Sequence, residues 1–90
     1  MPTTTVKAKF ANAQVVAMSV WVFVRGPKTG AGKKPHGRLA RAVTDTTKDG
    51  AGFFEVSFDT PTPAAPKKVV IKIAGVNAQN KVLALYTTVP

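Results

Sequence analysis

Val15–Arg25 reads VVAMSVWVFVR, a run of β-branched and aromatic residues broken only by Ala17, Met18 and Ser19. Helices at a surface keep one polar stripe, and half-buried strands alternate apolar with polar. This run does neither. Apolar on both faces and rich in Val, it predicts a central strand of a sheet. Its apolar part, Val15–Val24, has about half the length a helix needs to cross a bilayer. A protein made in the cytoplasm without membrane insertion is therefore expected.

Outward from this run the period is 2 rather than 3.6. Val6, Ala8 and Phe10 alternate with Lys7 and Lys9. Phe54, Val56 and Phe58 alternate with Glu55, Ser57 and Asp59, giving the cleanest half-buried strand in the chain. Val69, Ile71 and Ile73 alternate with Val70 and Lys72, after Lys68. Leu39–Thr44 and Val82–Val89 complete the set. The breaks fit: Asp49-Gly50-Ala51-Gly52 is a turn, and Thr60–Pro66 (TPTPAAP) is a proline-stiffened crossover that cannot join a ladder. Gly75–Asn80 is read as a hairpin loop. Together these predict an all-β fold in one domain spanning residues 1–90. The form expected is a small antiparallel β-sandwich (Ig-like), or a partly open barrel, of about six to seven strands.

Ninety residues bury about 60–65% of the unfolded chain's surface, enough for one core. The chain has no cysteine, which removes disulfides, thiolate nucleophiles and most zinc sites together. The N-terminal MPTTTVKAKF has no apolar core of a signal peptide. Charge is the strongest compositional signal: 13 Lys and Arg against 4 Asp and Glu, net +9. The four acids, Asp45, Asp49, Glu55 and Asp59, fall in one window, and residues 1–44 carry none. Such a surface seeks a polyanion or an acidic protein face.

The candidate binding segment is the extended basic loop at 25–38, RGPKTGAGKKPHGR. It superficially resembles a phosphate-cradling loop. A Walker loop needs G-x-x-x-x-G-K-[ST] between a strand and a helix N-terminus. Here Gly26 and Gly32 are one position too far apart, Lys34 stands where the hydroxyl belongs, and a strand follows. The loop is read instead as a glycine-rich arm, and Arg25, Lys28, Lys33, Lys34, His36, Arg38 and Arg41 as partner-binding residues.

Catalysis is not expected. The one histidine, His36, lies between Pro35 and Gly37, and Ser19 and Ser57 sit within strands. No Ser-His-Asp arrangement can be built from these. Asp45 and Asp49 in D-T-T-K-D-G lack the alternating oxygen ligands of a calcium loop and are read as turn-forming residues. No cofactor, metal or small-molecule substrate is expected.

From Ala42 to Ile73, AVTDTTKDGAGFFEVSFDTPTPAAPKKVVIKI resembles a segment of bacterial and phage Ig-like and transthyretin-like β-sandwiches. In those modules a T-x-D-G turn (here Thr47–Gly50) leads into an alternating strand, a Pro-rich crossover and a V-x-V-type strand. The resemblance covers about a third of the chain and lacks a glycine before Val69. It implies a non-enzymatic binding or structural module. With no export signal, the implied setting is a phage virion: a capsid decoration or other accessory protein, made in the host cytoplasm and docking on an acidic lattice, with homo-oligomers expected. The alternative is a nucleic-acid-binding small β-barrel using the basic loop on phosphates. Phe53 is then the expected stacking platform, because Trp21 and Phe23 are assigned to the core. In either case, replacing Lys28, Lys33, Lys34 and Arg38 by Ala is expected to abolish docking in a co-sedimentation assay. The thermal midpoint should stay nearly unchanged, since exposed charges contribute little to folding.

Overall fold

The computed structural model describes residues 2–26 and 37–90. Six strands follow in chain order: β1 Thr3–Ala8, β2 Ala17–Arg25, β3 Gly37–Asp45, β4 Phe54–Asp59, β5 Lys68–Val76 and β6 Val82–Thr88. They form two antiparallel sheets. β1 pairs with β4 alone, and the second sheet has the order β3-β2-β5-β6. Neither sheet closes into a barrel, so the architecture is a small two-layer sandwich.

The alternating pattern of β4 places Phe54, Val56 and Phe58 inward and Glu55, Ser57 and Asp59 outward. Val6 of β1, paired with Val56, joins them. From the facing sheet come Met18, Val20 and Val22 of β2 and Ile71 of β5, with Val15 from the preceding loop. Phe54, Met18, Ile71, Val15, Val20 and Val22 are the largest fully buried side chains. Close packing of these rings and branched chains supplies most of the sandwich's cohesion.

Gly75 corrects the expected hairpin loop. It belongs to β5, paired with Met18 and Ala84. A Cβ there would stand 2.9 Å from the Phe10 ring and 3.1 Å from Val15. The glycine therefore lets the β1–β2 connection lie directly on the sheet. The turn proper follows it. Asn77 Oδ1 accepts the amides of Gln79 and Lys81 at 3.0 and 2.9 Å, and Asn80 takes a left-handed φ of 61°.

The β3–β4 connection is organised by two aspartates, as their turn reading requires. Asp45 Oδ1 accepts the Thr47 amide at 3.0 Å and its Oδ2 the Glu55 amide at 2.8 Å. Asp49 Oδ1 accepts the amides of Ala51 and Phe53, each at 2.9 Å. These bonds favour the ionised form. The Glu55 amide, then that of Thr47, holds the Asp45 carboxyl below the usual carboxylate range, and the Phe53 amide, the largest of the influences on it, does so for Asp49.

Two measurements check this account. Phe54→Ala is expected to cost about 3–5 kcal/mol in urea denaturation, whereas the exposed Leu85→Ala should stay within about 0.5 kcal/mol. Because both aspartates titrate lower when folded than when unfolded, their stabilisation is fully present above the ordinary carboxylate range. It is lost as pH falls through the depressed folded values. Thermal midpoints should therefore drop below about pH 4, and Asp45→Asn, which keeps an acceptor but not the charge, should flatten that drop.

Candidate binding face

Alternation along β2 separates two faces of the four-stranded sheet. Met18, Val20, Val22 and Val24 are buried, whereas Ser19, Trp21, Phe23 and Arg25 are half-buried. Antiparallel register carries the second set across the sheet. Thr44, Ser19, Ala74 and Leu85 form one row, and Ala42, Trp21, Lys72 and Thr87 the next. Leu39, Phe23 and Val70 form a third, and Gly37, Arg25 and Lys68 the last. No described strand covers this outer face. The assignment of Trp21 and Phe23 to the core is thereby corrected. They share a strand with buried valines but point the other way.

The face has two chemical halves. Toward β6, Trp21 packs against the buried trio Ala17, Ala74 and Val76, and Leu85 lies alongside, 57% exposed. Toward the opposite end, Phe23 holds two cations. The Arg25 guanidinium lies 5.9 Å and the Lys72 ammonium 5.8 Å from its ring centroid, within cation–π range. Leu39, 52% exposed, is opposite Phe23 on β3. The cations of the face are Arg25, Lys68 and Lys72, and none of its rows contains an acid. Glu55 and Asp59 lie outward on β4, and Asp45 and Asp49 lie in or beside the β3–β4 turn.

The sites expected from the sequence are divided by this geometry. Lys28, Lys33, Lys34 and His36 lie outside the described residues. Arg25 is not in a loop but ends β2, paired with Gly37 and Lys68. Arg38 and Arg41 belong to β3, opposite Val24 and Val22. A register shift between Val22 and Phe23 leaves Ala40 unpaired, which turns Leu39 and Ala42 to the outer face and Arg38 and Arg41 to the inner one. There they are exposed, because the two-stranded sheet does not reach over β3 at those positions. Arg38 also lines a shallow depression with Val24, Gly37 and Lys67. The segment 25–38 is thus strand at both ends, and its described arginines serve two different faces.

Trp21, Phe23, Leu39, Lys68, Lys72 and Leu85 line this candidate face and were not among the residues expected from the sequence. A signal existed: within Val15–Arg25 the polar residues Ser19 and Arg25 share the parity of Trp21 and Phe23. Phe53, the expected platform, is half-buried, with the Lys7 and Lys9 ammonium groups 5.0 and 5.8 Å from its ring centroid. Comparison with protein families, with curated proteins and with solved structures finds no match for this chain.

Proposed function

We propose that the protein is a non-enzymatic docking module whose outer β3-β2-β5-β6 face seats it on an acidic protein lattice. The setting that suits it is a phage particle, with the chain as a capsid decoration or other accessory protein made in the host cytoplasm. One observation carries the reading. An uncovered sheet face carries the half-buried aromatics Trp21 and Phe23 on β2, the exposed Leu39 and Leu85 on its edge strands, and the cations Arg25, Lys68 and Lys72, with no acid in its rows. Protein interfaces share this composition, enriched in aromatics and arginine and depleted of acids. The cations complement an acidic partner and steer the encounter.

The Ig-like aspect of the reading rests on strand order. β3-β2-β5-β6 facing β1-β4 has the connectivity of a C′-C-F-G sheet facing a B-E pair in an immunoglobulin sandwich. Repeated copies bound to one lattice account for the expected homo-oligomeric arrangement.

Single-stranded nucleic acid is a second reading, favoured by the Phe23 ring with Arg25 and Lys72 beside it. Stacking platforms interleave aromatics and cations on one sheet face in this manner. The exposed Leu39 and Leu85 favour protein, since aliphatic side chains neither stack on bases nor bind phosphate.

The chain's single tryptophan sits on the proposed face and reports on it. Co-sedimentation with assembled capsids from the same source is expected, with a change in Trp21 emission. Leu39→Asp and Lys72→Glu should each abolish it without lowering the thermal midpoint. Retained co-sedimentation in both variants overturns the proposed face. Binding to oligothymidylate that falls steeply with salt, without capsid binding, moves the assignment to nucleic acid.

A further inference from the structure

The two free edges of the β1-β4 sheet are not equivalent. The Thr60 amide donates to the Pro2 carbonyl at 2.9 Å, which makes Pro2 and Thr60 a hydrogen-bonded pair. In an antiparallel ladder such pairs alternate. By the register, Thr4, Val6 and Ala8 therefore exchange bonds with Phe58, Val56 and Phe54. The amides and carbonyls of Thr3, Thr5 and Lys7 point away from β4, and no described strand pairs with them. On the far edge of β4, by contrast, the outward Glu55 amide is already taken by the Asp45 carboxylate at 2.8 Å. The β4 edge is thus tied to its own chain at Glu55, whereas none of the outward amides of β1 has a described partner, and Lys7 of β1 lies opposite Glu55 across the ladder.

Beside this open edge lies an apolar shelf. Tyr86 of β6 is opposite Ile73 and so faces the inner side of its sheet, yet it is 59% exposed. Phe10, just after β1, links the two sheets there, with ring centroids 6.0 Å from Phe54 and 6.3 Å from Tyr86. The opposite flank of the same inner face, on β3, presents Arg38 and Arg41 and suits water. Among the described residues, the β6 flank combines apolar rings with a neighbouring backbone edge that no described strand pairs.

We propose that the β1 edge receives an extended segment of a partner protein in which apolar residues alternate with acidic ones. The segment, about six residues long, pairs antiparallel or parallel with Thr3, Thr5 and Lys7 through main-chain bonds. Its apolar side chains face inward over Phe10 and Tyr86. Its acidic side chains face outward, on the side where Lys7 and Lys9 stand. Cross-strand pairing of opposite charges favours such a segment, and Lys7 disfavours a basic one. This site is separate from the outer β3-β2-β5-β6 face and does not depend on the function proposed for it.

The test uses the full chain and a fluorescein-labelled peptide, Val-Glu-Val-Glu-Val-Glu-Val, followed by anisotropy, with the Val/Lys counterpart as control. Saturable binding of the glutamate peptide alone is expected. Thr5→Pro removes one edge donor without touching the β4 ladder, because that amide points outward. It should weaken binding about tenfold. Tyr86→Asp, at an exposed position, should weaken it without loss of fold, as read from circular dichroism and the thermal midpoint. Lys7→Glu should reverse the preference between the two peptides. Absence of saturable binding to either peptide overturns the proposal. So does binding that folded Thr5→Pro protein leaves unchanged, or equal affinity for both peptides. If the glutamate peptide binds but Leu39→Asp abolishes that binding, the edge is the wrong place and the outer face is the site.

Discussion

A sheet of two strands can shield only about half of a sheet of four, and this constraint shapes the whole molecule. Strands β1 and β4 cover the inner faces of β2 and β5, where Val20, Val22 and Ile71 are buried with Phe54 and Phe58. Beyond them β3 and β6 project as flanks that meet the core only in part, through Val43 and Leu83. Neither has a strongly buried face along its length: every residue of both is exposed or half-buried. The chain concentrates its volume of apolar side chain where cover exists. The flanks mix Arg38, Arg41, Thr87 and Thr88 with the exposed Leu39, Leu85 and Tyr86.

The same constraint explains why β2 is apolar on both sides without being buried on both. Its inner residues meet the core. Its outer residues are shielded by one another and by their neighbours, as Trp21 is by Ala17, Ala74 and Val76. Large rings lying across small side chains hide surface that no second layer covers. This leaves an outer face that is part apolar and part cationic. Among the described residues the cations are spread over the outer face, β3 and β1, while the acids collect around β4.

What the sequence made legible follows from how local each signal is. Phe54–Asp59 alternates strictly, and both its strand and its buried face were readable. Asp45 and Asp49 were readable as turn formers because their acceptors act on amides close in sequence. The outer face was not readable in full, because Trp21 and Phe23 count as hydrophobic whichever way they point. Only pairing with Ala42, Lys72, Leu39 and Val70 shows that they share a surface with cations. The Arg38–Ala42 stretch hid its meaning for another reason. A bulge shifts parity by one, so Leu39 and Ala42 share a face although their spacing forbids it in a regular strand. Gly75 likewise looked like a turn residue, when the need it answers is the close approach of Phe10.

Asp45 joins these themes through one side chain. Its carboxylate closes the local turn through Thr47 and also reaches Glu55, ten residues on. The second bond ties the end of β3, in one sheet, to the start of β4, in the other. Across a sandwich held mainly by non-directional apolar contact, a directional link of this kind fixes how the sheets are offset. It also consumes an outward amide that would otherwise invite another strand to β4. Edge protection and sheet alignment are thus the same hydrogen bond. Among the described residues no equivalent side chain meets the outward amides of β1, so the two edges of the small sheet differ: β4 is tied to its own chain at Glu55 and β1 is not.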